Sequence, residues 1–417
     1  MLLLAGTVLI IVLIAAFVAI DHAANRERSR ARVSMELGDQ LASPVDRGAY
    51  VARAADCMAC HTAPGQRPYA GGLVMNVGFG TLSSPNITPD AKTGIGGWTK
   101  EQFRLAVREG IRPDGSQLYP AMPFPSYARM SDADVDALYA YFMSLSPVAA
   151  PRVKAGLYFP FNIRALMLGW KALFFDNAEF QPKADRTAQI NRGAYLVEGP
   201  AHCGECHSPR NAFGAIRSGK LLSGAAIDGF YAPNLTPDRE TGLGSWTQAD
   251  IAAFLTGGPN AHGNAFGPMR DAVVNGTAWL TDADRQAMAA YLAQVPAIRS
   301  AVPARLARSD MDASLDRGRA LYADNCSACH RISGHGTQDV APALAGQGAL
   351  NIRGGAANVI APILGGLSGP GGGVSMPAFT FDDQEVADIV NYTRKEWGGL
   401  PPDTTAATIA KARGAIK

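Results

Sequence analysis

Cys57-Met-Ala-Cys60-His61, Cys203-Gly-Glu-Cys206-His207 and Cys326-Ser-Ala-Cys329-His330 decide the reading of this chain. The three copies of Cys-x-x-Cys-His use all six cysteines, leaving none for a disulfide or a zinc site. The spacing is the attachment signature of c-type haem. Two thiols three residues apart on one helical turn reach both vinyl groups of a single porphyrin. The histidine that follows is held beneath the ring, where its imidazole binds iron. One such motif also fits a redox dithiol; three, with no stray cysteine, do not.

A chain of 417 residues suits about three domains of ordinary size. With 38 basic and 36 acidic side chains the formal charge is only +2. No basic stripe points to nucleic acid, which is excluded as a partner. The 45 glycines and 27 prolines fit short helices joined by long loops rather than extended sheets. In such domains much of the core is porphyrin.

Leu2 to Ile20 carries no charge and is just long enough to span a bilayer as a helix. No Lys or Arg precedes it and no Ala-x-Ala pair follows at a plausible cleavage position, so an uncleaved anchor is expected over 1–22. Arg26, Arg28, Arg30 and Arg32 follow the span, and the positive-inside rule would keep that flank cytoplasmic. Covalent haem attachment requires an exported domain, and it sets the expected topology: anchored in the inner membrane, with the haem domains on the periplasmic side.

The chain repeats itself. Arg47-Gly-Ala-Tyr50, Arg192-Gly-Ala-Tyr195 and Arg317-Gly-Arg-Ala320 each lead into a Cys motif on a short helix. Pro85-Asn-Ile-Thr-Pro-Asp90 is echoed by Pro233-Asn-Leu-Thr-Pro-Asp238, and Gly94-Ile-Gly-Gly-Trp98 by Gly242-Leu-Gly-Ser-Trp246. The third repeat replaces this block with Pro342-Ala-Leu344 and a glycine-rich loop through Gly371 to Gly373. Each repeat closes with a helix. Ser131-Asp-Ala-Asp134 and Thr281-Asp-Ala-Asp284 have the form of capping boxes, and Asp382 with Glu385 is a looser version. Apolar stripes follow at helical spacing: Val135, Leu138, Tyr139 and Phe142; Met288, Tyr291, Leu292 and Val295; Val386, Ile389 and Val390. The expected fold is mainly α, with three tandem class I cytochrome c domains behind the N-terminal transmembrane helix. The domains run 44–147, 186–298 and 310–400, separated by a connector at 148–185 and followed by a C-terminal tail at 401–417.

The second axial ligand decides between electron transfer and catalysis. Met122 in Pro120-Ala-Met-Pro123, Met269 in Gly267-Pro-Met269 and Met376 in Ser375-Met-Pro377 all lie in proline-bounded loops between a Cys motif and its closing helix. A thioether stabilises ferrous iron and fills the position oxygen or peroxide would need. Most of the 12 methionines are core filler. Met75, Met130 and Met143 compete with Met122 but lack its context, and His262 competes with Met269. His335 follows His330 too closely to reach the opposite face; His202 reads as a solvent-side or propionate neighbour. A ligating imidazole donates its other N–H to a carbonyl, and the loops opened by Pro85, Pro233 and Pro342 are candidates to supply it. Trp98, Trp246, Asn86 and Asn234 are candidate propionate donors, with plain loop packing an equal reading for the asparagines.

Within the connector, Ile163, Leu166, Met167, Trp170 and Phe174 form a broad apolar face, with Arg164 and Lys171 elsewhere. Such a helix suits a membrane interface and, in the favoured reading, a seam between domains or with a partner subunit. It is expected to have no role inside a single cytochrome repeat, and to help form a surface where a haem meets a quinone or the partner.

The three motifs, Asn86-Ile-Thr-Pro-Asp90, Leu118-Tyr-Pro-Ala-Met-Pro-Phe-Pro-Ser-Tyr-Ala-Arg-Met130 and Val390-Asn-Tyr-Thr-Arg-Lys-Glu-Trp397 resemble the triheme cytochrome c subunit of membrane-bound alcohol and aldehyde dehydrogenases of acetic acid bacteria. The resemblance covers nearly all of the chain beyond about residue 44. It implies three covalently bound haem c groups. Cys57, Cys60, His61 and Met122 would hold the first; Cys203, Cys206, His207 and Met269 the second; Cys326, Cys329, His330 and Met376 the third. It implies a subunit with no catalysis of its own, which takes electrons from a catalytic dehydrogenase subunit and passes them to membrane ubiquinone. The retained N-terminal span favours a molybdenum and iron–sulfur aldehyde dehydrogenase as partner over a quinoprotein alcohol dehydrogenase. Two other functions fit the same motifs: a cytochrome donor to a terminal oxidase, and a haem enzyme with one open iron.

Overall fold

The Ser43 hydroxyl accepts from the Asp46 amide and caps α1 (Pro44–Ala54), with Pro44 in the first turn, where its missing N–H leaves nothing unpaired. After Ala55 the backbone turns through Asp56 at φ 47°, a left-handed conformation, and re-enters a short helix, α2 (Cys57–His61). This chain is known here from a computed structural model, which describes residues 43–415 apart from 155, 228, 259, 261, 301–307, 338–339, 351, 353 and 368–374. The expected span over Leu2–Ile20, the arginines after it and the loop Gly371–Gly373 lie outside the described residues. Among the described residues no helix is long and apolar enough to cross a membrane. The chain divides into two compact units between His202 and Cys203.

In the first unit α2 is followed by a small antiparallel sheet of β1 (Val74–Asn76), β2 (Gly80–Ser83) and β3 (Gly156–Leu157), in the order β1-β2-β3 with Val74 opposite Ser83 and Gly80 opposite Leu157. Helix α3 (Lys100–Arg104) starts on a complete capping box, Thr99 with Gln102, and runs into a π-helical turn over Leu105–Glu109. Next come α4 (Phe124–Tyr127), α5 (Asp132–Ser144), the connector helix α6 (Leu166–Phe174) and α7 (Ala188–Glu198). The second unit holds α8 (Gly204–His207), the hairpin of β4 (Ala225–Ile227) and β5 (Phe230–Ala232), and α9 (Gln248–Phe254), α10 (Pro268–Asn275) and α11 (Asp282–Leu292). It continues with α12 (Arg308–Asn325), α13 (Ser327–His330), α14 (Ala357–Gly365), α15 (Asp383–Gly398) and α16 (Ala406–Ala415). The described chain is therefore mainly helical.

The recurring Arg-Gly pair is explained by how the helix before each Cys motif crosses the helix that closes the repeat. On α1, a Cβ at Gly48 would stand 1.9 Å from the Ala137 carbonyl oxygen of α5, so only glycine permits the approach. Beside it Arg47 Nη2 lies 2.7 Å from Asp134, whose side chain is 0% exposed. The third repeat builds the same crossing. A Cβ at Gly318 would meet the Asp388 carbonyl oxygen of α15 at 2.1 Å, and Arg317 Nε donates to the buried Asp388 carboxylate at 2.6 Å. Removing one partner of a buried pair leaves an uncompensated charge, so these contacts enforce the crossing more than they add net stability.

This pairing changes the reading of one helix start. Ser131 Oγ accepts from the Asp134 amide at 3.2 Å, but the Asp134 carboxylate turns inward to Arg47 and to the Tyr195 hydroxyl rather than back to Ser131. The expected box there is a single cap. Asp382 and Glu385, the looser pattern in sequence, form the complete box, each side chain accepting from the other's amide at 2.8 Å.

The connector also departs from expectation. Met167 and Trp170 pack with Met75, Val77, Phe79, Leu82, Tyr119 and Leu157 in a small core between α6 and the sheet, so the segment belongs to the first repeat's packing. Ile163 and Leu166, expected on that face, are exposed. The tail beyond residue 400 is likewise part of a core: Ile409 of α16 is fully buried among Ile360, Val386 and Ile389.

Gly48→Ala is predicted to force α1 off α5 at a cost of roughly 3 kcal/mol, the upper range for overpacking a tight site. Calorimetry would show one unfolding transition of the full chain moving down while the others stay; an unchanged profile would show that the crossing tolerates a methyl group.

Candidate functional site

Each Cys motif sits on a short helix just after the helix that opens its repeat. In the first two repeats the preceding residue takes a left-handed conformation, Asp56 at φ 47° and His202 at φ 38°. That turn redirects the chain so that both cysteines and the histidine fall on a single new turn. The Tyr127 hydroxyl donates to the Ala55 carbonyl at 2.7 Å and fixes the start of the first motif.

The three histidines share one arrangement. Nδ1 of His61 lies 2.8 Å from the Pro85 carbonyl oxygen, that of His207 2.6 Å from Pro233 and that of His330 3.0 Å from Pro342. A carbonyl oxygen only accepts, so Nδ1 carries the proton and the Nε2 lone pair is left for a metal. Burial lowers the pKa of all three rings, opposed in part by the carbonyl bond. They are therefore neutral, as a ligand must be. The loops anticipated to supply these carbonyls do supply them.

The thiols argue against the dithiol alternative. Burial, then repulsion from the neighbouring cysteine, pushes Cys203 up to about 12 and Cys326 up to about 11; burial and Asp56 raise Cys57 further still. A reactive redox cysteine needs the opposite shift. Among the described residues no three His, Cys, Asp or Glu side chains converge as a zinc site would require.

Met122 is half-buried against the core cluster that Cys57 and Trp98 also pack on. Its rivals are accounted for. Met130 is fully buried in that cluster, Met143 packs on its edge, and Met75 lies with the connector in the other core. Met269 stands on the first turn of α10 and is half-buried, and Met376 packs on the third repeat's core with Phe379 and Phe381. His262 is engaged elsewhere: its ring stacks on Trp246 at 4.2 Å and 13°, and its Nε2 lies 3.5 Å from Asp250. His335 is exposed, and His202 Nδ1 contacts the Pro200 carbonyl oxygen at 2.8 Å.

Asn86 and Asn234 are loop braces rather than propionate donors. Asn86 Nδ2 donates to the Val148 carbonyl at 2.7 Å and to Thr93 Oγ1, while its Oδ1 accepts from the Thr88 amide at 2.9 Å. Asn234 repeats this with Ile298, Thr241 and Thr236. Each brace stiffens the loop whose preceding proline holds the histidine.

A covalent haem fits these residues: paired thiols on one turn, a neutral imidazole with a free Nε2, and a thioether beside an apolar wall. The sequence model of the cytochrome c family matches residues 45–146, 190–296 and 315–397. The chain is 40% identical to the cytochrome c subunit of an alcohol dehydrogenase (quinone) of Gluconobacter oxydans, over 87% of this chain and 80% of that one. It is 40% identical to the cytochrome c subunit of a gluconate 2-dehydrogenase of Pantoea cypripedii, over 88% and 89%. A fructose dehydrogenase cytochrome subunit of Gluconobacter japonicus is 37% identical, over 89% and 83%.

Asn86→Ala removes the brace and strands the buried Thr88 amide, at a predicted cost of about 2 kcal/mol. Amide exchange at Thr88 and Ile95 should speed up; unchanged protection would show that the loop is held by other contacts.

Proposed function

Because this chain belongs to the cytochrome c family, alongside the cytochrome c subunits of dehydrogenase complexes, we propose that it is a three-haem electron-transfer subunit between a catalytic dehydrogenase and membrane ubiquinone. The observation that carries the reading is the threefold recurrence of Cys-x-x-Cys-His with its imidazole tied to a proline carbonyl. Haem c bound at these motifs supplies a one-electron iron couple.

The chain's own residues do the rest. Cys57 with Cys60, Cys203 with Cys206 and Cys326 with Cys329 hold the groups as thioethers. His61, His207 and His330 would offer iron Nε2, made more basic by the Nδ1 bond. Met122, Met269 and Met376 would offer a thioether as second ligand, the stacking of His262 on Trp246 supporting Met269 at the second site. Thioether ligation favours the reduced state and leaves no vacant position for oxygen. That separates this function from a haem enzyme with an open iron.

The names of the relatives support a quinone acceptor and an alcohol- or sugar-oxidising partner, ahead of the aldehyde-oxidising one that the N-terminal stretch suggested. The uncharged Leu2–Ile20 stretch supports an inner-membrane location, with the haem domains on the periplasmic side.

The intact mass of the full chain matured in a host that attaches haem c is predicted to carry three haem additions, with Cys326→Ala plus Cys329→Ala removing one. Alcohol should reduce the protein only when a dehydrogenase subunit is present, and ubiquinone should then reoxidise it. Reduction by ubiquinol and oxidation by a terminal oxidase alone would reverse the assignment.

A further inference from the structure

Seven of the sixteen large apolar side chains that stand exposed among the described residues fall between Tyr158 and Leu173. Phe159 is 79% exposed and Leu173 74%. The inner side of α6 is already satisfied by the core around Met167 and Trp170. The helix is thus apolar on both sides, and among the described residues of this unit only one side is covered. Apolar surface of this density on a folded domain marks a contact site.

The charges beside it select the contact. Arg112, Arg152 and Arg164 are close enough that Arg112 repels the other two, and the carboxylate acting on all three is Asp114, 3.7 Å from Arg112. Three guanidinium groups against one carboxylate leave an excess of positive charge. Arg164 is held in place by the Gln117 carbonyl at 2.9 Å and by the Tyr119 ring below it. Lys171 takes no part in this rim, because its ammonium turns inward to the Glu109 carbonyl and Gln117 Oε1. Exposed aromatic and aliphatic side chains beside an excess of arginines match the boundary between acyl chains and phosphate headgroups.

We propose that the connector from Tyr158 to Leu173 is a membrane-docking face that seats the first unit on an anionic lipid bilayer. Phe159, Leu168 and Leu173 enter the acyl boundary while Arg112, Arg152 and Arg164 meet lipid phosphates. The inference rests on the membrane location proposed above and adds to it a second, peripheral point of attachment that orients the first unit.

The test uses the full chain carrying Phe159→Cys or Leu173→Cys with a nitroxide label, in nanodiscs of phosphatidylcholine mixed with phosphatidylglycerol. A label at Phe213→Cys, an exposed apolar position in the other unit, is the control. Power-saturation EPR should find the first two labels open to oxygen and shielded from a water-soluble nickel chelate, with the control the reverse. Arg152→Gln should weaken the preference for anionic over zwitterionic vesicles about fivefold, the effect of one basic residue at such a surface. Aqueous labels on protein that has entered the discs would overturn the docking face and leave the membrane location standing. Failure to enter the discs would overturn both. Shielding that appears only when the dehydrogenase subunit is added would assign the face to a protein partner and also overturn the proposal.

Discussion

An imidazole N–H donated to a proline carbonyl, made three times in one chain, is the interaction on which the rest depends. It fixes the tautomer and aims Nε2 away from the backbone, while burial keeps the ring neutral. For the bond to hold, the Cys motif and the proline loop must each be rigid. The first is set by the left-handed turn at Asp56 and by the Tyr127 hydroxyl on Ala55. The second is set by the Asn86 brace, with Asn234 doing the same in the second repeat. Cofactor chemistry and loop architecture are therefore one problem, solved by local hydrogen bonds rather than by extensive secondary structure.

The helix crossing supplies the frame. Gly48 and Gly318 let backbones approach to distances no side chain would allow, and Arg47 and Arg317 lock the crossing by pairing with buried carboxylates of the closing helix. In the first unit Asp134 also accepts from Tyr195 of α7, so a residue that belongs by sequence to the second repeat completes the packing of the first unit.

Much of this was legible in the sequence where covalent chemistry dictates spacing. The cysteine motifs, the repeat and the proline loops could be read directly, because their roles follow from bond lengths and from the needs of a liganded imidazole. What escaped reading depended on burial. Asp134 has the pattern of a helix cap, and only the crossing with α1 shows that its carboxylate is claimed by Arg47. The apolar residues of the connector could be counted, but which of them meet the sheet depends on β1, β2 and β3, too short to leave a periodic signal. Asn86 could be read as a propionate donor or as a loop brace until Val148 and Thr93 were placed beside it.

The proposed function requires three irons, each held by an imidazole on one face and a thioether on the other. Magnetic circular dichroism of the oxidised full chain in the near infrared reads that ligation directly, because the energy of the low-spin charge-transfer band depends on the axial pair. Histidine–methionine bands with an intensity of three irons per chain and no high-spin component are expected. A bis-histidine band, or one iron in the high-spin state, would contradict it.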